Sequence, residues 1–297
     1  MRFFGYINVN KPKSFTSHDV VGKLRKILNI KQIGHTGTLD PMATGVLPVA
    51  IGKATKTIQY LEGSKAYRAF IKLGIRTDTY DMEGQILETN PVVFDIEKIK
   101  NILLEFKGDI AQRPPMYSAV HYKGKRLYEL ARSNVKVEDI PERQVNVSSV
   151  ELIEVIEENS QNPIIVVDIS CSSGTYIRSI ASDLGDKLGY GATLCDLIRT
   201  KSGKLTIDNC HTIEEIEEYS KKDEISNLII NPIYILDLEC CKIEQNYLEK
   251  IKHGQYLEGL DLDNFDSEKK IQLVYEDKLV AIAKIKGGLV FPVNVFI

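Results

Sequence analysis

From position 17 onward, Val20, Val21, Leu24, Ile27 and Leu28 recur three and four residues apart, which predicts a helix over 17–29 with Ser17 as its N-cap. The run Gly34-His35-Thr36-Gly37-Thr38-Leu39-Asp40-Pro41 breaks that period and is too rich in glycine for either regular element. It reads as a functional loop leading to a strand at 46–51. Positions 67–73 alternate and predict another strand. Asp95 caps a second helix that turns Ile96, Ile99, Ile102, Leu103 and Phe106 inward, and Gly108 ends it.

The stretch 109–144 is polar and holds Pro114-Pro115, the basic turn Lys123-Gly124-Lys125-Arg126 and Pro141. It predicts a mobile arm over a substrate. Runs at 145–156 and 164–171 read as two more strands. Ser172-Ser173-Gly174 then turns into a helix from Tyr176 to Leu188, stopped near Gly189. Beyond 240 the pattern changes to short β-rich runs at 271–275, 279–285 and 289–295, broken by Gly287-Gly288. A small barrel of about 55 residues fits them.

The strand–helix alternation of a doubly wound sheet is missing. The fold class is therefore α+β: a catalytic domain over 1–239, with a mixed, largely antiparallel sheet, packed helices and the arm at about 109–144, and a small β-barrel domain over 240–297.

Composition narrows the function classes. With 43% hydrophobic and 27% charged residues, the 297-residue chain has the make-up of a soluble globular protein. No run approaches the roughly 18 apolar residues of a membrane helix, and the N-terminus lacks a secretory apolar stretch, so a cytoplasmic setting is expected. The five cysteines form no C-x-x-C pair and histidines number five, so zinc-ligand spacing is absent and no metal is expected.

The net charge of −3 is unevenly spread. Residues 1–80 carry 13 Lys/Arg against 4 Asp/Glu, and the remainder carries 25 against 37. A basic N-terminal third on an acidic chain can steer a polyanion to one face. Residues 107–132 add six basic and two acidic side chains.

An Asp before Pro is held extended, because the proline ring excludes the α region for its neighbour. Asp40 is thus a carboxylate presented on a constrained loop, a pattern shared by ordinary turn-forming aspartates. The loop is no phosphate cradle: G-x-x-x-x-G-K-[ST], G-x-G-x-x-G and H-x-G-H are all absent. No G-x-S-x-G elbow supports a serine hydrolase.

The run from Gly34 through Asp40-Pro41-Met42-Ala43-Thr44-Gly45-Val46-Leu47-Pro48 resembles the signature loop of the bacterial tRNA pseudouridine-55 synthase family, the TruB type. Further blocks resemble that family in its order. They are Asn10-Lys11-Pro12, Tyr67-Arg68, the stretch from Leu73 to Gly84, Pro115-Met116-Tyr117-Ser118-Ala119, Gly124-Lys125-Arg126-Leu127-Tyr128, and Gly174-Thr175-Tyr176-Ile177-Arg178. Together they span about 5–200, and the tail more loosely resembles the family's PUA-like RNA-binding barrel.

The resemblance implies isomerisation of the T-loop uridine at position 55 of tRNA, without a cofactor. It makes Asp40 the essential carboxylate, Arg178 its partner, and Asp81 a member of the same network. Tyr176 lies at the reacting ring, Tyr67 stacks on the target base, and His35 fills the gap left by the flipped nucleotide. Leu197 lines the pocket floor, and Lys11 either contacts phosphate or packs. The tRNA T stem-loop is the implied partner of a monomer that needs no protein partner and no membrane. Two other readings stay open at this point: a tRNA-binding or folding factor, and a pseudouridine synthase acting on another RNA. Whether Asp40 attacks C1′, adds to C6 or draws off a sugar proton is also open.

Overall fold

Thr16 and Asp19 form a reciprocal capping box: the Thr16 hydroxyl accepts from Asp19 N at 3.0 Å, and the Asp19 carboxylate accepts from Thr16 N at 2.9 Å. The cap therefore falls one residue before Ser17, the residue expected to hold it, and Ser17 is free for another task. The computed structural model describes residues 3–61, 63–133, 135, 137, 139–266 and 269–297. They divide into two units, Met1–Pro41, Gly45–Gly63 and Gly203–Ile297 in the first, Met42–Thr44 and Ser64–Ser202 in the second.

The first unit begins with β1 (Gly5–Lys11), α1 (Ser17–Leu28), β2 (Ile33–His35) and β3 (Thr44–Ile51). Strand β3 pairs antiparallel with both β1 and β2. The first residues of the expected loop are thus strand, and the irregular part starts only after His35. On one face of β1 and β3, Val20, Val21 and Leu24 pack against Ile7, Val9, Leu47 and Val49. The opposite face buries Tyr6, Val46 and Ala50 against Ala54 of a 3₁₀ helix, Gly52–Tyr60.

The second unit starts with β4 (Lys65–Leu73), the hairpin β5 (Ile75–Thr77) and β6 (Ile86–Thr89), α2 (Ile96–Leu104) and β7 (Gly108–Gln112). Asp95 caps α2 through Glu97 N and Lys98 N, as expected. Two expectations fail here. Ile96, in the first turn, is 39% exposed, and the helix stops at Leu104, leaving Gly108 to open β7 with φ +102°.

The polar stretch after β7 is not a bare loop: it holds a small hairpin, β8 (His121–Tyr122) with β9 (Lys125–Arg126), and the helix α3 (Leu127–Arg132). Residues 134, 136 and 138 of the expected arm lie outside the described residues. Then follow β10 (Arg143–Ile156), β11 (Ile164–Cys171), α4 (Ile177–Leu188) and β12 (Ala192–Ser202). The strand order is β12-β4-β11-β10-β7, with every neighbouring pair antiparallel. Helix α4 packs on β12 and β4, and α2 on β10 and α4. Gly185 permits the close crossing, since a Cβ there would overlap Ala192 N and the Gly191 carbonyl carbon.

The chain returns to the first unit through β13 (Leu205–Thr206), α5 (Ile213–Lys221), α6 (Pro232–Ile235), β14 (Glu239–Lys242), α7 (Leu248–Lys252), β15 (Lys270–Tyr275), β16 (Lys278–Lys286) and β17 (Leu289–Val295). The last four strands pair in sequence order, β14 with β15 parallel and the rest antiparallel. In place of the expected barrel they form an open sheet among the described residues. Ile251 and Leu257 pack with Ile271, Leu273, Ala281, Ala283 and Val290 in a core of its own.

Candidate active site

In the first unit, the backbone on each side of Asp40 is pinned. The Ser17 hydroxyl accepts from Leu39 N at 2.9 Å and lies 3.3 Å from Leu39 O. Pro41 O accepts from Ser14 N at 2.8 Å and from Lys11 Nζ at 3.2 Å. Lys11 is fully buried, and its ammonium also donates to Phe15 O at 2.6 Å and Pro12 O at 3.0 Å. That arrangement favours packing over phosphate contact for Lys11. Asp40 itself is half-buried between a core side chain, Leu39, and a proline that forbids a helical turn. His35 closes β2 opposite Val49 and is likewise half-buried.

In the second unit, Arg178 lies in the first turn of α4 and faces Asp81, with Nη1 to Oδ2 at 3.2 Å. Its guanidinium also donates to Thr79 O at 3.2 Å and Tyr117 O at 2.9 Å. Asp81 Oδ1 accepts from Thr79 Oγ1 at 2.6 Å and Glu83 N at 3.1 Å. The turn that carries Asp81 is bound to β12 by Met82 N to Leu194 O and Leu194 N to Tyr80 O, both 3.0 Å. Gly84 closes the turn because a Cβ there would collide with the Thr79 hydroxyl and the Asp78 carboxylate.

Tyr67 sits mid-strand on β4, with Ile169 on one side and Arg199 on the other. Leu197, buried on β12, is opposite Ala69. Tyr176 is the N-cap residue of α4, and its ring packs on the cluster of Val120, Leu127 and Ile140. The second unit thereby holds Tyr67, Asp81, Tyr176, Arg178 and Leu197 from four separate stretches of sequence, while Lys11, His35 and Asp40 belong to the first unit.

Sequence reasoning passed over Arg199 as a site residue, Lys65 and Gln112. Arg199 is buried, and the Lys65 ammonium donates to Ser202 Oγ at 2.6 Å. Burial, followed by the positive charge of Arg199, pushes Lys65 down to about 8. Only the strand register, which sets Lys65 opposite Ser202 and Arg199 opposite Tyr67, could have revealed them.

In the 109–144 stretch, cations lie over tyrosine faces: Lys123 is 5.2 Å from the Tyr122 ring centre, and Arg126 and Arg132 are 5.9 and 5.4 Å from that of Tyr128. Basic groups beside aromatic rings suit a nucleic-acid strand. Among the described residues, no cluster of His, Cys, Asp or Glu is placed to hold a metal ion, and no helix is long and apolar enough to cross a membrane.

Residues 25–177 match the family model described as the TruB family pseudouridylate synthase N-terminal domain, and 178–236 match the tRNA pseudouridylate synthase B C-terminal domain. A Clostridium tetani protein named tRNA pseudouridine synthase B is 41% identical over 289 residues, 96% of each chain. A Bacillus subtilis protein of the same name is 41% identical over 258 residues, 86% of this chain and 83% of that one. Among solved structures, a chain of a Cbf5–Nop10–Gar1 complex matches with TM-score 0.75 and 28% identity, covering 99% of this chain and 85% of that chain. A chain of an H/ACA RNP bound to a substrate RNA containing 2′-deoxyuridine matches with TM-score 0.72 and 27% identity, over 99% of this chain and 85% of that chain.

Proposed function

The chain belongs to the TruB family of pseudouridylate synthases and isomerises uridine to pseudouridine in tRNA; from that premise we propose that its target is uridine 55 of the T loop and that Asp40 is the essential carboxylate. The observation that carries this reading is the Asp40 loop. The backbone before and after the carboxylate is tied down by Ser17, Ser14 and Lys11, so the group is presented in one place.

The reaction breaks the bond from C1′ to N1, turns the uracil and joins C1′ to C5; C5 loses its proton and N1 gains one, so the net change is isomerisation. An ionised carboxylate serves such chemistry, and an ordinary aspartate is already ionised at neutral pH. Arg178, fixed by Asp81, and Tyr176 are the other reacting groups in this proposal, with the Tyr176 hydroxyl suited to moving the C5 proton. Tyr67 stacks on the base once it has left the RNA stack, which offsets part of the unstacking cost of a few kcal/mol. Leu197 lines the pocket, and His35 occupies the gap left in the loop.

The 109–144 stretch contacts the T stem-loop through its lysines, arginines and tyrosines. Residues 240–297 are a PUA-like RNA-binding domain, a reading supported by the apolar cluster of Ile251, Leu257, Ile271 and Leu273 within them, beside a catalytic domain of 1–239. The protein acts in the cytoplasm as a monomer and requires neither cofactor nor protein partner.

The test is tritium release from a T stem-loop RNA carrying 5-tritiated uridine, with wild type and Asp40→Asn compared. Release by the wild type alone is expected, with the rate of Asp40→Asn down by at least about 10⁴-fold while RNA is still bound. Release by both would mean that another group is the essential one. Release by neither, with RNA bound, would favour a binding factor.

A further inference from the structure

Gln112 ends β7 with its side chain turned to the backbone of Tyr176. Its Oε1 accepts from Tyr176 N at 2.7 Å, and its Nε2 donates to Tyr176 O at 3.0 Å. One side-chain amide thus pairs with both polar groups of a single residue, much as a neighbouring strand would. Gln112 is 2% exposed, so water does not compete for either bond. Tyr176 needs such a partner: it is the N-cap of α4 in an extended conformation, and its own side chain makes no cap. Pinning its N–H and C=O together fixes the planes of both flanking peptides, and with them the direction of the Cα–Cβ bond.

The next contacts extend the grip. Ser179 Oγ donates to Arg113 O at 2.8 Å, and Arg178 Nη2 donates to Tyr117 O at 2.9 Å. The first turn of α4 is therefore held at three residues by the segment 112–117, and two of those three are the groups assigned to the reaction.

We propose that Gln112 is a positioning residue for this isomerisation, holding the Tyr176 ring and the Arg178 guanidinium in reacting position through the backbone of Tyr176. The proposal rests on the reading of Tyr176 and Arg178 as reacting groups. The residue type follows from the geometry. Gln offers an uncharged donor and acceptor on one plane, whereas an ionised Glu offers two acceptors and turns one of them toward the Tyr176 carbonyl. A protonated Glu regains the donor. Asn is shorter by one methylene and cannot span both groups.

The test uses the full chain with the T stem-loop RNA and measures kcat, KM and their pH dependence for Gln112→Ala and Gln112→Glu. At about pH 8 both variants are expected to lose about a hundredfold in kcat, with KM within a few-fold of wild type, because misplacement of about 1 Å costs that much in rate. Lowering the pH to about 5.5 should restore Gln112→Glu toward wild type and leave Gln112→Ala unchanged, since only a buried Glu can take up the missing proton. A wild-type kcat at pH 8, a parallel worsening of kcat and KM, or the same pH profile in both variants would overturn the proposal. Should Gln112→Ala fail to fold, the two pH arms of Gln112→Glu decide alone.

Tyr176→Phe and Arg178→Lys separate the two layers of the argument. If both keep the wild-type kcat, the reading of the site falls and the positioning role with it. If they lose activity while Gln112→Glu does not, the positioning role falls alone.

Discussion

Asp81 and Arg178 pair at 3.2 Å with each side chain only 5% exposed, and further bonds of the pair run to neighbouring loops. Asp81 Oδ1 is held by Thr79 and Glu83, and Arg178 reaches the carbonyls of Thr79 and Tyr117. Two charges removed from water are tolerable here because their hydrogen-bonding capacity is spread over fixed partners. Asp81→Ala removes the buried carboxylate that faces the guanidinium. It should lower the unfolding free energy by about 3–5 kcal/mol, read by denaturant titration, and lower kcat in the fraction that stays folded.

Tyr67 has no backbone reason to be aromatic, since β4 is already packed on both sides by β11 and β12. Tyr67→Ala should weaken RNA turnover by about 1–3 kcal/mol in kcat/KM, the worth of one base–aromatic stack, whereas Tyr67→Phe should keep most of it. Steady-state kinetics on the T stem-loop would check this. An equal loss in both would place the hydroxyl rather than the ring at the base.

Asp183, on α4, is pushed up from 3.8 to about 6, first by burial and then by the charge of Asp186. The sign follows from proton counting. Between about pH 4 and about pH 6 the folded chain holds a proton that the unfolded chain has lost, so this group's stabilising share is complete below about pH 4 and is lost as pH rises through about 6. Asp183→Asn should therefore melt about 2 °C higher than wild type at pH 7, with the gap closing as pH falls toward 4. A gap independent of pH would contradict it.

Gly185 lies inside α4, where alanine would ordinarily favour the helix by about 1 kcal/mol. Here the added Cβ would meet the backbone of Gly191 and Ala192, which cannot yield as a side chain can. Gly185→Ala should instead destabilise by up to about 3 kcal/mol and lower activity, because the helix it lifts carries Arg178. Thermal melting and tritium release on the same preparation would show both.

The long elements were legible: α1 and α2 by their 3.6-residue faces, α4 by the turn before it and the glycine after it, β4 by alternation, and β11 and β15 to β17 as β-rich runs. Proline and glycine mark Asp40 as a residue on a constrained loop, but its assignment as the essential carboxylate came from the family resemblance of the run around it. The N-cap of α1 slipped by one, since Thr16 and Ser17 are both good caps and only the reciprocal bond with Asp19 separates them. β7, the hairpin and α3 were hidden in a polar stretch whose members are too short to show a period. An open sheet was mistaken for a barrel, because strand spacing says nothing about whether the edges meet. Lys11 was singled out with two roles left open, whereas Gln112 escaped, because a buried polar side chain is recognised by the backbone groups it satisfies, and those of Tyr176 lie far away in sequence.

Strand β12 went unread altogether, and its register explains why. Leu194 faces Ile71, Leu197 faces Ala69, Arg199 faces Tyr67 and Ser202 faces Lys65, with extra residues at Cys195 and Thr200. Each bulge shifts the phase of the strand by one, so four side chains spaced three, two and three apart share one face. The consequence concerns insertion and deletion rather than substitution. Losing Cys195 alone would keep every other residue of the strand, yet turn Leu197 and Arg199 outward together. Along this strand, spacing between residues is as much a determinant of the interior as their identity, and a homologue one residue shorter here would have to compensate elsewhere in the same strand.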